Sequence, residues 1–385
     1  MRLDKHWPPT ALNQTSYIIC NNEGSKRCFF LRLEWINRYV AYWNFLRFYG
    51  VLSLSETNNH KLSVLSIGPL KSRLKVPYRS IGFNEATEPL VQNMTVEFND
   101  FIAVDPTADE STTDEFQQCI AQTYDLLMPI NDWDEIRLSA LRADYAQAAM
   151  IEAINRKLIV EVFSERLTYW VDLDQIRRQF DGDFIASRSA NTRAQLRKSL
   201  RATESALGVC KIDSAQTLAQ AQIWFDALGV MHAKRWNELG AIEGFNNPRF
   251  VEFHRAAIDS MWPKQLVQIL RLQAGETTLA YLYNFVIDGR VYFNMSGIDY
   301  DQKYAVKPGM LAHWLSINLY IANGLRIYDF MAGTNRYKES LCTHQTQQMH
   351  LLIRRRRWYF LIESILKKLR NHYRPEVKSS YAEQS

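Results

Sequence analysis

The chain has 385 residues, more than one hydrophobic core of ordinary size needs, and this length indicates two domains. Hydrophobic residues make up 47% of the sequence and charged residues 23%, a composition that excludes an intrinsically disordered protein. The five cysteines are scattered without a CxxC pair, and no apolar run approaches the roughly 18 residues of a membrane span. We therefore expect a reduced, cytoplasmic protein without a zinc site.

The positive charge is concentrated at the C-terminal end. The formal net charge is +5, and residues 351–385 contain nine Lys or Arg residues against three Glu residues. The remainder is close to neutral, which argues against DNA as a partner. In the tail, residues 354–385, four arginines precede a helix with an apolar stripe. This pattern predicts either binding to an anionic surface, such as the inner membrane, or ordinary packing of an amphipathic helix on the body.

Apolar periodicity divides the first half of the chain into alternating helices and strands. An aromatic-rich helix is predicted over 31–49, and two alternating runs around residues 57–59 predict a hairpin. Helices over about 112–128 and 142–156 follow, each succeeded by a strand. The first half is therefore predicted to be a mixed α+β domain.

The second half has a more definite order of elements. One strand and two long helices precede three antiparallel strands, and then helix, strand, helix and strand alternate. The turn Asp288-Gly289 is a strong hairpin signal. The predicted elements are a helix over 187–206, a strand from 209, helices over 214–238 and 248–261, strands over 266–273, 278–287 and 290–298, a helix from 308 to 323, a strand over 325–333, a helix over 335–341 and a strand from 348.

Six short motifs in this half resemble one family. They are Ser187-Arg188 with Arg193 and Arg197, His232 to Trp236, Tyr292 to Asp299, Lys307 to Met310, Tyr328 to Gly333, and Tyr337-Lys338. Together they resemble the GNAT-related domains of bacterial exopolysaccharide and cellulose biosynthesis loci, which are similar to the Fem-type aminoacyltransferases. Leu33-Glu34-Trp35 also looks like the opening element of that family.

The resemblance implies an α+β fold of two tandem GNAT-like domains with mainly antiparallel central sheets flanked by helices. A degenerate domain is expected over 1–180, a catalytic domain over 181–353 and the basic tail over 354–385. The implied activity is N-acyl transfer from acetyl-CoA or another acyl-CoA, without a metal, to an amine of a small molecule or saccharide. An amino sugar, a polysaccharide precursor and a lipid precursor are the expected acceptor classes.

In GNAT folds the donor pyrophosphate lies at the N-terminus of the helix after the fourth strand, where free N–H groups and the helix dipole favour anions. Here that helix start is Lys307-Pro308-Gly309, in which the glycine permits close approach. An ordinary helix start with proline in its first turn is the alternative. The donor-binding residues implied are Ser296, Lys303, Val306, Lys307, Gly309, Met310, Leu311 and Lys338.

Acyl transfer to an amine needs a base, donors for the oxyanion and an acid for the leaving thiolate. The resemblance makes Asp299 and Asp329 the candidate bases and Tyr337 the candidate acid. A structural role for Asp329 and core packing of Tyr337 are the competing interpretations.

The acceptor is expected to meet a basic helix face and the end of a second helix. Arg193 and Arg197 are four residues apart and form a stripe suited to a carboxylate or phosphate, although a solvated helix face gives the same pattern. His232 is a candidate contact or a buried structural group. The acceptor-binding residues implied are Arg188, Arg193, Arg197, His232, Arg235, Trp236, Asn294 and Tyr328.

Two other functions remain open from the sequence. One is aminoacyl transfer from tRNA, as in the Fem-type enzymes, and the other is a non-catalytic accessory role in exopolysaccharide assembly. The sequence contains no serine-hydrolase elbow, Walker loop, dinucleotide fingerprint or zinc motif, so hydrolase, nucleotidase and metalloenzyme functions are disfavoured.

Overall fold

The computed structural model describes residues 2–4, 47–56, 59–84, 98–100, 102–103, 112–238, 244–301, 307–333 and 335–373. The chain forms two compact units, one of Met1–Leu167 with Gln347–Ser385 and one of Thr168–Thr346. Residues 347–385, which the sequence divided between the catalytic domain and a separate tail, thus belong to the first unit. Residues 31–46 of the predicted helix, which include Leu33-Glu34-Trp35, lie outside the described residues, and residues 47–49 begin a strand rather than end a helix.

The described elements of both units are a mixture of strands and helices. In chain order they are β1 Arg2–Asp4, β2 Arg47–Glu56, β3 Asn59–Lys71, β4 Pro77–Phe83, β5 Ile102–Ala103, α1 Thr113–Leu127, β6 Glu135–Arg142, α2 Ala143–Asn155, β7 Ile159–Asp172, α3 Leu173–Phe180, α4 Ala190–Leu207, β8 Cys210–Ser214, α5 Leu218–Glu238, α6 Pro248–Met261, β9 Val267–Ala274, β10 Thr277–Ile287, β11 Arg290–Ile298, α7 Pro308–Ala322, β12 Ile327–Ala332, α8 Arg336–Leu341, β13 His344–Arg354 and α9 Trp358–Tyr373.

The sheet of the first unit has the order β1-β2-β3-β4-β6-β13, with β5 beside β3. Its neighbouring strands are antiparallel except β4 and β6, which run parallel with Ser80 opposite Glu135. The predicted hairpin is confirmed, because Glu56 of β2 pairs with Asn59 of β3. Helices α1 and α2 cover the sheet through a buried apolar core in which Phe116 stacks on Tyr145 with ring centroids 4.3 Å apart.

Most of the four arginines in the tail form ion pairs or hydrogen bonds with groups of the first unit. Arg354 donates to Glu135 at 2.7 Å and to Glu161 at 2.6 Å, and Arg357 donates to Asp134 at 2.8 Å. The guanidinium of Arg355 lies 4.2 Å from the ring centroid of Trp133 and donates to three backbone carbonyls, those of Leu127, Met128 and Ile130. These contacts favour the packing alternative for Arg354, Arg355 and Arg357, because β13 continues to Arg354 and brings these arginines to acceptors of the first unit.

The sheet of the second unit has the order β12-β11-β10-β9-β8, with residues 168–172 of β7 beside β12. Only β11 and β12 run parallel to each other. Adjacent residues of β10 show that both faces are covered: Tyr283 contacts Phe225 of α5 and His254 of α6, whereas Asn284 donates to Tyr320 of α7. The unit therefore has three layers with a largely apolar sheet in the middle.

Local signals account for most boundaries in this unit. The Asp288-Gly289 hairpin forms with φ values of 44° and 72°, as its residue types predict. Helix α4 begins later than expected, at Ala190, because Ser189 rather than Ser187 caps it by accepting a hydrogen bond from the Thr192 N–H. The predicted fold class, a mixed α+β sheet flanked by helices, is confirmed.

The described ranges contain neither a membrane-spanning helix nor a metal-binding cluster. None of the helices there is long and apolar enough to cross a membrane. No group of three His, Cys, Asp or Glu side chains there is arranged to hold a metal ion.

Candidate active site

The central feature of the second unit is a divergence between its two parallel strands. β11 and β12 pair at only three positions, which end with Tyr292 opposite Asp329. Beyond that pair, β11 continues to Ile298 and β12 to Ala332 without pairing to each other. Backbone donors and acceptors along the β11 edge therefore face a gap, where a ligand can take the place of the missing strand contacts.

A β-bulge distorts β11 where the gap opens. In the pairing with β10, Tyr283 lies opposite Met295 but Asn284 lies opposite Phe293, so Asn294 is an extra residue in β11. The side-chain Nδ2 of Asn294 is buried and has no hydrogen-bond partner among the described residues. A buried amide donor of this kind needs an acceptor, and a ligand carbonyl in the gap can supply it.

An aromatic cluster around His313 of α7 packs against β11 and β12 where they diverge. The ring centroid of His313 lies 4.6 Å from Phe293, and its Nδ1 lies 2.9 Å from the Tyr328 hydroxyl. Burial, with the charge of Lys338 nearby, lowers the pKa of His313 to about 3, so the imidazole is neutral. Burial also raises the pKa of the Tyr328 phenol well above its usual range. Tyr328, an expected acceptor contact, is thus fully buried within this cluster.

Tyr337 of α8 stacks on the same imidazole. Its ring centroid is 5.1 Å from that of His313, with an angle of 12° between the ring planes. Burial raises the pKa of the Tyr337 phenol and the neighbouring Tyr300 adds to the rise, while a hydrogen bond with Asn335 opposes it. The phenol therefore holds its proton at neutral pH and is able to donate it to a stronger base.

The Lys338 side chain points into the protein at the end of β12. Its Nζ donates to the carbonyl of Ala332 at 2.8 Å and is 3.4 Å from that of Met331, both at the end of β12. The side chain is buried. Its contact with a donor phosphate stays a prediction, whereas the observed contacts hold α8 against β12.

The two candidate bases occupy different environments. Asp329 is fully buried, with one oxygen 2.5 Å from an Arg290 nitrogen and the other 2.7 Å from the Met331 backbone nitrogen. Asp299 is partly exposed beyond the end of β11, and its Oδ1 accepts a hydrogen bond from the Asp301 backbone at 3.0 Å. Both oxygens of Asp329 are thus engaged in the fold, while Asp299 keeps access to solvent.

Helix α7 begins shortly after β11, where the donor pyrophosphate was expected. Lys307 takes a left-handed conformation with φ of 53° and is followed by Pro308 in the first turn. The Nζ of Lys307 donates to Gln195 of α4 at 2.8 Å. The Met310 and Leu311 N–H groups donate to the Lys307 carbonyl at 3.1 and 3.3 Å, and Leu311 is buried.

Two residues of the expected site lie outside the described residues, and a third is described only in its backbone. Lys303 and Val306 lie outside the described residues, and the side chain of Trp236 is not described. Ser296 lies on β11 in register with Leu282 and is partly exposed.

The end of α5 reaches the segment that follows β11. The guanidinium of Arg235 lies 5.0 Å from the ring centroid of Tyr300, and Lys234 forms an ion pair with Asp301. His232 packs beside Phe245 with centroids 5.2 Å apart, and burial lowers its pKa to about 4. These contacts bring Arg235 and Tyr300 to the side of the site where Tyr337 lies.

The predicted arginine stripe separates into two parts. Arg188 donates to the carbonyls of Leu341 and Cys342, and Arg193 donates to the carbonyls of Arg188 and Ala186 at 2.7 and 3.3 Å. Arg197, in contrast, is exposed on α4. The first two arginines join backbone segments, which leaves Arg197 as the one of the three turned to solvent.

The sequence reasoning missed His313 and Tyr300. The sequence signal for His313 was a lone histidine inside the apolar helix that follows the donor loop. Tyr300 directly follows Asp299 and carried no periodic signal, because it lies just beyond β11.

The arrangement agrees with the comparisons to known proteins. Residues 190–339 match the family model described as an acetyltransferase (GNAT) domain. That match includes the diverging strands, the bulge, α7 and Tyr337. Comparison with curated protein sequences gives no match.

Two solved structures share the fold across most of the chain. The crystal structure of FemX is 9% identical, with a TM-score of 0.59, and the match covers 91% of this chain and 98% of that one. The C-terminal domain of a protein named as a lysylphosphatidylglycerol synthetase from Agrobacterium fabrum is 10% identical. Its TM-score is 0.51, with 94% of this chain and 97% of that one covered. At these identities the likeness concerns the fold alone.

Proposed function

We propose that the second unit transfers an acyl group from acetyl-CoA or another acyl-CoA to an amine. The observation that carries this proposal is the divergence of β11 and β12 beyond Tyr292 and Asp329, beside the start of α7 at Pro308. A gap with free strand edges suits the pantetheine arm, and an adjacent helix N-terminus suits a pyrophosphate. Gly309 has no side chain at that helix start. A Cβ at this position would lie 2.8 Å from the Cδ1 atom of Ile298, so the backbone of α7 lies close to the end of β11.

Acyl transfer forms a C–N bond and breaks the C–S bond of a thioester, so one proton leaves the amine and another reaches the thiolate. The buried Nδ2 of Asn294 at the bulge is suited to donate to the carbonyl oxygen, where negative charge develops. Tyr337 is suited to protonate the thiolate, with its ring fixed by His313. Asp299 suits the base role better than Asp329, because Asp299 is partly exposed whereas Asp329 is fully buried against Arg290.

The proposed acceptor is an amine of an amino sugar, a polysaccharide precursor or a lipid precursor. Arg235, held over Tyr300, and the exposed Arg197 are suited to a carboxylate or phosphate on such a molecule. We place the reaction in the cytoplasm, where acyl-CoA is formed.

We further propose a single donor site per chain, because the corresponding helix of the first unit has a side-chain cap and acidic residues at its N-terminus, whereas α7 has neither. In that unit α1 lies in sequence between the parallel strands β4 and β6, as α7 lies between β11 and β12. The start of α1 is filled by a capping box between Thr112 and Glu115, and Asp114 adds a second negative charge. An approaching phosphate would meet occupied donors and like charge.

Calorimetric titration of the full chain with acetyl-CoA tests the donor site. Gly309→Glu should abolish binding, because it adds a carboxylate where a pyrophosphate is proposed, whereas Gly309→Ala should retain most of it. Ile223→Glu, at an exposed position of α5, is the matched control for the added charge. Unchanged affinity in Gly309→Glu would remove the donor from this helix, and two equivalent sites per chain would contradict the single-site proposal.

Binding and transfer measurements on the full chain also distinguish the two alternative functions. Transfer from aminoacyl-tRNA without any binding of acetyl-CoA would favour a Fem-like donor. An accessory protein of polysaccharide assembly would bind neither donor. Release of free thiol from acetyl-CoA in the presence of a panel of amino sugars would support the proposed reaction directly.

A further inference from the structure

Helix α9 of the first unit presents an apolar stripe to solvent. Its members recur at helical spacing and are each 40–60% exposed: Trp358, Leu361, Ile362, Ile365, Leu366 and Leu369. The opposite side of the helix is anchored, since Tyr359 and Phe360 pack against Tyr78 with ring centroids 6.5 and 5.1 Å apart. Large apolar side chains in one continuous exposed stripe indicate an interaction surface.

The turn after β3 places cations beside this stripe. Glu363 of α9 accepts a hydrogen bond from the backbone N–H of Arg73 at 2.5 Å, so the helix lies against this turn. Lys71, Arg73 and Lys75 are all exposed there. Glu363 is the single acid in the sequence of α9, and it is turned towards the turn rather than into the stripe.

A second pair of cations lies at the start of the helix. Arg356 donates through Nε to the carbonyl of Lys157 at 3.0 Å, and both side chains are exposed. Cations thus stand beside the stripe at its first turn and at its middle.

From these observations we propose that the α9 stripe and its five flanking cations form a docking face for an anionic lipid bilayer. The stripe offers aliphatic surface and one tryptophan, which suits the boundary between headgroups and acyl chains. The cations suit the negative surface potential of anionic lipids. A second copy of this face would bring the two sets of cations together and so is disfavoured by like-charge repulsion. This proposal concerns the first unit and does not depend on the proposed acyl transfer.

Flotation of the full chain with phosphatidylcholine vesicles, with and without phosphatidylglycerol, tests the face. We expect binding to the anionic vesicles that weakens as salt is raised. Ile365→Glu should reduce the partition coefficient about tenfold or more, because a charge enters the middle of the stripe. Ile223→Glu is the matched control: its side chain is 65% exposed on α5, compared with 58% for Ile365. It should float like the wild type.

The contribution of the cations is tested separately with the triple variant Lys71→Gln, Arg73→Gln, Lys75→Gln. Each charge removed should lower binding to anionic vesicles roughly fivefold and leave binding to neutral vesicles unchanged. Circular dichroism confirms folding of each variant. The proposal is overturned if the wild type does not float with anionic vesicles, or if Ile365→Glu floats equally well. A dimer that Ile365→Glu converts to a monomer in light scattering would assign the stripe to a second copy instead.

Discussion

The ion pair between Arg290 and Asp329 allows a structural aspartate to be distinguished from a catalytic one. Asp329 is fully buried, while the Arg290 side chain is 24% exposed and lies 2.5 Å away. Replacing Arg290 by methionine removes the cation from the carboxylate and leaves it the hydrogen bond from the Met331 N–H. Removing one partner of a buried pair costs about 3–5 kcal/mol, and the partial exposure of Arg290 places the expected loss near the lower end, about 3 kcal/mol.

Asp329→Asn should cost less, about 1–2 kcal/mol, because an amide oxygen still accepts the Met331 N–H and Arg290 can reach water. The double variant Arg290→Met with Asp329→Asn should be more stable than the sum of the single losses predicts, with a coupling of about 2 kcal/mol. Urea unfolding of the full chain, followed by circular dichroism, measures these values.

A loss below about 1 kcal/mol for Arg290→Met, or additive losses in the double variant, would refute the reasoning about the pair. Transfer activity then addresses the chemistry. If Asp329 only supports the fold, Asp329→Asn retains acyl transfer at temperatures where it is folded, whereas Asp299→Asn loses it. The reverse result would make Asp329 the base despite its engaged oxygens.

Two further predictions concern protons. Tyr337→Phe should keep the stacking on His313 and the affinity for acetyl-CoA. It should lower the rate of acyl transfer about 10²-fold, which is a usual contribution of one general acid. An unchanged rate with a good acceptor would exclude Tyr337 as the acid. Burial lowers the pKa of His254 to about 3, so the folded state keeps it neutral while the unfolded chain binds a proton below about pH 6.5. Stability should therefore fall as the pH falls, by about 2 kcal/mol from this group at pH 5, and His254→Phe should flatten the dependence in urea titrations at several pH values.

Local signals in the sequence were sufficient to predict most of the second unit. The Asp288-Gly289 turn fixed a hairpin because both residues accept positive φ, and Pro308 marked a helix start because it needs no hydrogen-bonded N–H. Apolar runs bounded by the turns Ala274-Gly275-Glu276 and Asp288-Gly289 indicated the three antiparallel strands. Each of these features depends on a few residues that are neighbours in the sequence, so local sequence is enough to predict it.

Local sequence signals predicted less of the first unit. The helix expected over 31–49 lies largely outside the described residues, and residues 347–385 join this unit after the whole second unit has intervened. Pairing of β13 with β6 brings Arg354 opposite Glu135. A pairing over such a sequence distance leaves no periodic signal, and for this reason the sequence left open whether the arginines bind an anionic surface or pack on the body.

The sequence by itself determined the residue types available for chemistry and the order of the elements that carry them. The tertiary structure decided which of those residues are free to act: Asp329 is held by Arg290, Arg188 by a carbonyl at the end of α8, and Lys338 by the end of β12. It also brought His313 against Tyr337 and left β11 and β12 unpaired beyond Tyr292. The physical reason is that a polar side chain takes whichever partner the packing brings within about 3 Å, and that distance depends on the whole sheet rather than on neighbouring residues in the chain.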